Sequence, residues 1–517
     1  MSLTQALVSA IAGLKVNQSS LALVSANVAN AGTTGYVRKT ATQVAIAGSN
    51  TGMGVRISAI QREFDSYVQG QLRVENAGAS YATTRADTLN RLQLVYGEPG
   101  TDSSLETVYN NFTSALQALT SSPDDPGARS QVVNAAQLLT QQLNGMSGAI
   151  QSLRGNAELG IADSVSKANE AMSQIATLNQ KLAGSTLNDT ATAMMQDQRD
   201  TYINQLSQLM DINVISGDHN QVSVYTNSGV QLVGITAATL GFNAQGTMAP
   251  NALWTPDAAT RAVGTITLTA PNGGAVDLVQ ANSIRSGTIA AYLQVRDRDL
   301  VQAQSQIDAI AAAMSSALSD KTTVGDAVTS GLQQGYDVDL TGLASGNSIT
   351  IDYTDQLTNT PRTITLIRVD DPSVLPLSNA TTADPNDKVY GIDFSAGITT
   401  VYGQIATAIG STGMVASNTT GNTLRVLSDG PGNVVTVNSV STTKTATSLQ
   451  GGSNELPFFT DGTSSYTGAI SVVGSQSIGL AGRISVNGAL VADPSLLVKY
   501  NSTTSTGDSA RPDFFFQ

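Results

Sequence analysis

Along the first thirty positions, Leu3, Leu7, Ala10, Leu14, Asn17, Leu21, Val24 and Val28 recur at alternating steps of three and four. That is the narrow seam of a coiled coil rather than the broad stripe of an ordinary surface helix. Asn17 is the one polar member of the row, a place where a buried amide fixes register at some cost in stability. At Ala29 the row breaks into Asn30-Ala31-Gly32-Thr33-Thr34-Gly35-Tyr36, where the glycines and the asparagine supply turn chemistry. A seam this narrow, on a helix almost without charge, calls for a partner, and no other stretch of the chain obviously offers one. The competing reading is a plain N-terminal core helix.

Further along, Ser103 and Glu106 make a capping-box pattern ahead of Leu105, Val108, Tyr109, Phe112, Leu116 and Leu119, which predicts a helix ended by Pro123 and Pro126. A much longer helical pattern follows. Val132, Ala136, Leu139, Leu143, Met146, Ile150, Leu153 and Ala157 hold one heptad phase; Ile161, Val165, Ala168, Met172, Ile175 and Leu182 resume it one residue later. Fifty such residues make about 75 Å of helix. Gly145, Gly148, Gly155 and Gly160 lower its propensity, so neighbours must hold it. Met194 to Met210 reads as another helix. Ile212/Val214 and Val222/Val224 flank a hairpin loop at Ser216-Gly217-Asp218-His219-Asn220. Residues 243–283 read as a small β insertion holding Trp254, and Ser286 to Asp320 as a second long helix. From about 329 to 475 helical periodicity gives way to Thr, Val, Gly and turns, which predicts a β-rich domain with a short helix at Ile398 to Ile409.

Ala26-Asn27-Val28-Ala29-Asn30-Ala31-Gly32-Thr33-Thr34-Gly35-Tyr36-Val37-Arg38 resembles the N-terminal signature of bacterial flagellar axial proteins. Its Tyr-Val-Arg ending is most similar to the FlgK family of hook-associated proteins. Arg199 to Val214 is similar to that family's helix-to-strand segment, Ser286 to Asp320 to its second long helix, and Gly482 to Asn487 with Asp493 to Leu497 to its return into the helical domain. The resemblance covers roughly 1–330 and 475–517. It implies that Asn27, Asn30, Thr33, Gly35, Tyr36 and Arg38 form the turn that ends an axial helix. It also implies an extracellular flagellar location reached by type III export without a cleaved Sec signal. The implied partners are other copies of the chain, the hook protein and a second hook-associated protein. The family continues for roughly another hundred residues and closes with a helix that pairs with the N-terminal one. Here the sequence stops at Phe514-Phe515-Phe516-Gln517, so truncation is expected, and with it the loss of the usual C-terminal site of an export chaperone.

Composition narrows the alternatives. The 517 residues carry a net charge of −13, which disfavours nucleic acid and anionic membranes as partners. The first acidic residue is Glu63, and Lys15, Arg38, Lys39, Arg56 and Arg62 precede it. With no cysteine, neither disulfides nor thiolate metal sites can form. The start has no basic residue before Lys15 and no continuous apolar core of a signal peptide, and no 18-residue apolar run is present, so no membrane insertion is expected. Aromatic residues are only 5%, which leaves small-residue helix contacts to do much of the packing.

Catalytic chemistry finds little footing. His219 is the single histidine, in a predicted hairpin loop, so zinc hydrolysis and Ser/His/Asp acyl transfer both lack a motif. Asp297 and Asp299 alternate with Arg296 and Arg298 on a predicted helix, where solvated ion pairs account for them. Asp337/Asp339 and Asp384-Pro385-Asn386-Asp387 have carboxylates suited to calcium, but not the spacing of an EF-hand or a glycine-rich nonapeptide. Gly52-Met53-Gly54 lacks the third glycine and preceding strand of a dinucleotide turn. Trp254 reads as a packing anchor. No cofactor and no metal is expected.

The expected architecture is α+β and multidomain. Residues 1–60 would form an N-terminal axial, coiled-coil-type helix and its turn. Residues 61–328 with 476–517 would form a long-helix bundle domain with small β elements, and 329–475 an inserted, outward β-rich domain. The expected role is that of a non-enzymatic structural subunit joining flagellar hook to filament by self-assembly. Its rivals are a hook or distal-rod protein, an extracellular adhesin or fibre protein, and a surface hydrolase.

Overall fold

The computed structural model describes residues 3–46, 54–185, 189–382, 384 and 386–516. Gly52 and Met53 of the glycine turn, Pro385 of the acidic turn and the terminal Gln517 lie outside them. Two compact units share the chain: residues 1–92, 152–248 and 252–300 form one, and 93–151, 249–251 and 301–517 the other.

In the first unit, α1 (Leu3–Ala29) precedes an antiparallel hairpin of β1 (Lys39–Ile46) and β2 (Gly54–Arg62), then α2 (Ser66–Tyr96). The next helix, α3 (Leu105–Ser121), belongs to the second unit. Its cap sits one residue later than the Ser103/Glu106 pairing predicts: Ser104 Oγ accepts from the Thr107 amide at 3.2 Å. α4 (Pro126–Ala183) is a single 58-residue helix, and every apolar position in its two heptad rows is buried. The step from Ala157 to Ile161 inserts one residue into the repeat, a phase step that lets the buried stripe keep pace with a straighter helix.

Strands are fastened to the last turns of α4 by asparagines. Asn169 Nδ2 donates to the Leu240 carbonyl at 2.8 Å, and its Oδ1 accepts from the same residue's amide at 2.8 Å. Asn179 makes the same two-way pair with Val222, at 2.7 and 3.2 Å. The side-chain amide thus acts as an extra peptide group at the strand edge. After α5 (Thr190–Leu209), capped by Asp189, the chain forms β3 (Ile212–Ser216), β4 (Val222–Thr226) and β5 (Gln231–Val233), an antiparallel meander. β6 (Thr239–Phe242), β7 (Ile266–Thr269) and β8 (Ala275–Asp277) make a second three-stranded sheet. The two sheets close over one core with α4, α5 and α6 (Gly287–Gln294), centred on Ile161, Met172, Ile203, Leu206, Val224, Leu268 and Ile289. Trp254 is only half-buried, with the Arg261 guanidinium 5.3 Å from its ring centre, so it does not anchor this core.

The second long helix is not continuous. A π-helical turn, Val295–Asp299, separates α6 from α7 (Leu300–Ser319). The wider turn aims successive charged residues differently from an α-helix, and this overturns the solvated reading of the Arg-Asp alternation. Arg296 is fully buried: its guanidinium meets Glu158 Oε2 at 2.6 Å, the Gly264 carbonyl at 2.8 Å and both oxygens of Asp297. Glu158, also fully buried, accepts from the Gln245 and Gly264 amides at 2.9 and 3.1 Å. Asp299 turns the other way and takes a bidentate pair from Arg85 at 2.7 and 3.2 Å. Burial works against the charge of Arg296, but the hydrogen bonds and charges of Asp297 and Glu158 outweigh it and raise its pKa.

In the second unit, β9 (Asp320–Val324) leaves α7 directly. β10 (Asp326–Ser330), β11 (Gln333–Asp339), β12 (Ser348–Asp355), β13 (Thr360–Val369), β14 (Asp387–Asp393), α8 (Ile398–Gly410), β15 (Val415–Asn418), β16 (Thr423–Leu427) and β17 (Val435–Thr445) follow. They form a five-stranded sheet, β14-β13-β12-β17-β9, and a four-stranded one, β10-β11-β16-β15. Among the described residues of these sheets, only β13 and β14 pair in parallel. Strand alternation places Ile349, Ile351, Ile364, Leu366, Leu424, Val426 and Val440 in one core, with Val401, Ile405 and Ile409 of α8. β18 (Phe459–Asp461), β19 (Ser464–Ser465), β20 (Ile470–Ser471), β21 (Gly474–Ser475), β22 (Ile484–Val486), α9 (Gly488–Ala492) and α10 (Ala510–Phe516) complete the unit.

The phenylalanine tail is helical rather than unstructured. Phe515 packs edge-on to Phe458, which in turn meets Phe112 and Phe459. Arg511, fully buried, donates to the carbonyls of Leu449, Ser453, Asn454, Leu496 and Lys499. Burial, only partly offset by the charge of Glu455, pulls its pKa down to about 10.

Candidate assembly interface

The two faces of α1 differ in what they meet. Gln5, Ser9, Ala12, Val16, Ser20, Leu23 and Asn27 point to the β1–β2 hairpin; Val16 and Leu23 are buried there. Ala12 and Ser20 are small enough for close approach, with Ser20 Oγ 3.5 Å from Gln43 Nε2. The seam residues Leu3, Leu7, Ala10, Leu14, Asn17, Leu21, Val24 and Val28 lie about 130° round the helix from this row. All eight are exposed, Leu3 at 91%. The hairpin is therefore a partner that the periodicity did not reveal, and it takes the small, polar face. Its own signal in the sequence is the β-branched alternation of Thr40, Thr42, Val44 and Ile46, too short to stand out.

α1 also amends one expectation. Although no run of 18 apolar residues exists, an 18-residue window of this 27-residue helix reaches a mean hydropathy of 1.3, so by length and composition it could cross a membrane.

The motif at the end of α1 is a compact hydrogen-bonded joint. Asn27 Oδ1 accepts from the Lys39 amide at 3.0 Å and from the Tyr36 hydroxyl at 2.9 Å, while Nδ2 donates to the Lys39 carbonyl at 2.9 Å. Asn30 Nδ2 donates to the Ala26 carbonyl at 2.9 Å, and Oδ1 accepts from Thr33 Oγ1 at 3.3 Å. Gly35 has φ +83°, and a Cβ there would meet Thr201 Oγ1 at 2.6 Å, so glycine serves both conformation and clearance. Arg38 stands apart, in an exposed pair with Glu63 at 3.3 Å.

Lys39, Arg62, Arg73, Asp197 and Asp200 are functional candidates that the sequence reading missed. Lys39 is buried beneath Tyr36, its Nζ 3.8 Å from the ring centre and 2.5 Å from Asp197 Oδ2. Arg62 Nε meets Asp197 Oδ1 at 2.7 Å, and its Nη2 bonds Asp200. Arg73 donates to Asp200 at 3.1 Å and to Asn204 Oδ1 at 3.1 Å. Burial lowers the Arg73 pKa against the pull of Asp200. Three cations of the N-terminal segment thus clamp onto two carboxylates one turn apart on α5. Only the i, i+3 spacing of Asp197 and Asp200 signals this in the sequence.

His219 is exposed in the β3–β4 turn with φ 56°. Asp337 pairs with Arg425 across the strands at 2.6 and 2.7 Å, and Asp339 with Lys444 at 3.3 Å. Among the described residues no group of three or more His, Asp or Glu is arranged to hold a metal ion.

With these features in place, the chain is similar to the helical hook-associated proteins of the bacterial flagellum. Residues 89–337 match the family model described as the flagellar hook-associated protein FlgK helical domain. Over that segment, just under half of its length, the chain is similar to the FlgK family. It is 26% identical over 328 residues to flagellar hook-associated protein 1 of Salmonella typhimurium, covering 61% of this chain and 56% of that one. With the Bacillus subtilis protein of the same name it shares 29% identity over 213 residues, 39% of this chain and 42% of the relative. The chain therefore matches only about half the length of these relatives. The structure of the flagellar hook junction protein FlgK from Burkholderia pseudomallei aligns with a TM-score of 0.42 and 18% identity, over 81% of this chain and 64% of that one.

Proposed function

We propose that this chain is a non-enzymatic structural subunit of the bacterial flagellum, at the junction of hook and filament and outside the cell. Its partners are other copies of itself, the hook protein and a second hook-associated protein. The exposed seam of α1 carries the reading: one face of the helix is seated on the hairpin, and the other presents Leu3, Leu7, Leu14, Leu21, Val24 and Val28 to solvent. Such a row becomes dry only against another helix. In this reading residues 1–60 form the axial segment, the long helices form the subunit body, and residues 329–475 form the outward domain. Many weak interfaces make the subunit stable in the polymer rather than alone.

Replacing Leu7, Leu14 and Leu21 together by Glu tests it. The monomer should melt within about 1 kcal/mol of the parent, because exposed sites contribute little. Incorporation into hook–filament junctions in cells should be lost. Normal junctions and motility with the triple variant would overturn the reading.

A further inference from the structure

The clamp on α5 is unbalanced. Lys39, Arg62, Arg73 and Arg199 bring four positive charges to a buried cluster that holds two carboxylates, Asp197 and Asp200. Arg199 has neither carboxylate as a hydrogen-bond partner. Its Nη1 donates to Asn179 Oδ1 at 3.1 Å and to the Asn220 carbonyl, and its Nε, buried, has no hydrogen-bond partner. A desolvated guanidinium short of a counter-charge is costly. Beside it lies a groove of about 450 Å³, lined by Arg62, Arg73 and Arg199 with Tyr67, Asn213 and Asn227. Asp200 also borders the groove, but Arg62 and Arg73 engage its two oxygens.

We propose that this groove is an oxyanion site, taking a carboxylate or phosphate group as counter-ion to Arg62, Arg73 and Arg199. Guanidinium groups match planar and tetrahedral oxyanions through paired N–H donors. The Asn213 side chain, on an exposed strand position, and the Tyr67 hydroxyl add neutral donors at the rim. Burial pulls the Arg199 pKa down to about 10, which leaves the group charged at neutral pH. In a chain of net charge −13, two positive charges in excess at one place are a local reversal of sign. The anion would also tie α2 to the β3–β4 meander, because Arg73 belongs to one and Asn213 to the other.

The test is hydrogen exchange on the full chain with added inorganic phosphate, then with succinate, each against chloride at equal ionic strength. At ten times the dissociation constant, local opening should slow about tenfold, with the gain confined to residues 62–74 and 196–214. A general salting effect would instead protect the whole chain evenly. Asn213→Asp supplies a carboxylate at the rim from an exposed position, and should abolish the response without unfolding the protein. Arg199→Met should abolish it too. A local response to either titrant, lost in Asn213→Asp, supports the site. No local response to both titrants, or one that survives in Asn213→Asp, overturns it.

Discussion

Asn27 and Lys39 are joined as two residues of paired strands would be. The side-chain amide of Asn27 accepts from the Lys39 N–H at 3.0 Å and donates to its carbonyl at 2.9 Å. The same two-way bond recurs between Asn169 and Leu240 and between Asn179 and Val222. In each case a helix ends the isolation of a strand edge with one side chain.

The first prediction concerns that joint. Asn27→Ala leaves the Lys39 amide and the Tyr36 hydroxyl without their acceptor, a loss of about 1–3 kcal/mol for partly buried groups. Exchange of the Lys39 amide and of the β1–β2 ladder should accelerate accordingly, while α5 stays protected. Unchanged exchange at Lys39 would mean that the joint does not hold the hairpin.

The clamp gives a second. Breaking a buried ion pair by removing one partner costs about 3–5 kcal/mol, whereas removing both with apolar replacements costs far less. Asp197→Leu should therefore destabilise the first unit strongly, and Lys39→Met added to it should recover part of the loss. Urea midpoints of the two single variants and the double variant measure the coupling. Strict additivity would show that Lys39 and Asp197 do not act as a pair.

Asp308 of α7 makes stability depend on pH. Its carboxylate accepts from the Gly479 and Ala481 amides at 2.7 and 2.9 Å, yet burial raises its pKa above the ordinary 3.8. The folded state then binds this proton more tightly than the unfolded chain does. Stability contributed by the protonated form is complete below the unfolded pKa and declines as pH rises through the raised folded value. The stability gap between the parent and Asp308→Asn should narrow from pH 3.5 to pH 7. Denaturant titrations across that range check it, and a gap that widens with pH would contradict the assignment.

Glu158→Gln is the fourth. It keeps an oxygen for the Gln245 and Gly264 amides but removes the negative charge facing Arg296. A fully buried guanidinium retains Asp297, so the expected loss is about 3 kcal/mol, at the low end for a broken buried pair. Thermal unfolding of the parent and variant measures it; an unchanged melting temperature would mean that Asp297 alone balances Arg296.

What the sequence disclosed follows from which signals have a period. The buried rows of α4 were legible because apolar residues repeat along them, and the phase step at Ala157–Ile161 was legible as a break in the repeat. The asparagine pairs were not, because an Asn in sequence reads as turn chemistry whatever strand it will meet. Arg296 was read as solvated because a regular α-helix was assumed there. The π turn moves it to the inside, and nothing in the Arg-Asp alternation announces that turn. Bonded partners in the clamp lie up to 158 positions apart and carry only ordinary surface composition, so proximity alone identifies them.

The phase step in α4 and the π turn after α6 meet at Glu158 and Arg296. Each helix changes phase there, and each places its buried charge where the other does. Sliding one helix along the other by a single turn would set Arg296 against the apolar residues that follow Glu158 on the inner face, beginning with Ile161. The pair therefore works as a key in a keyway. A slip of one helix along the other by a turn would thus forfeit a buried ion pair, a cost of about 3–5 kcal/mol.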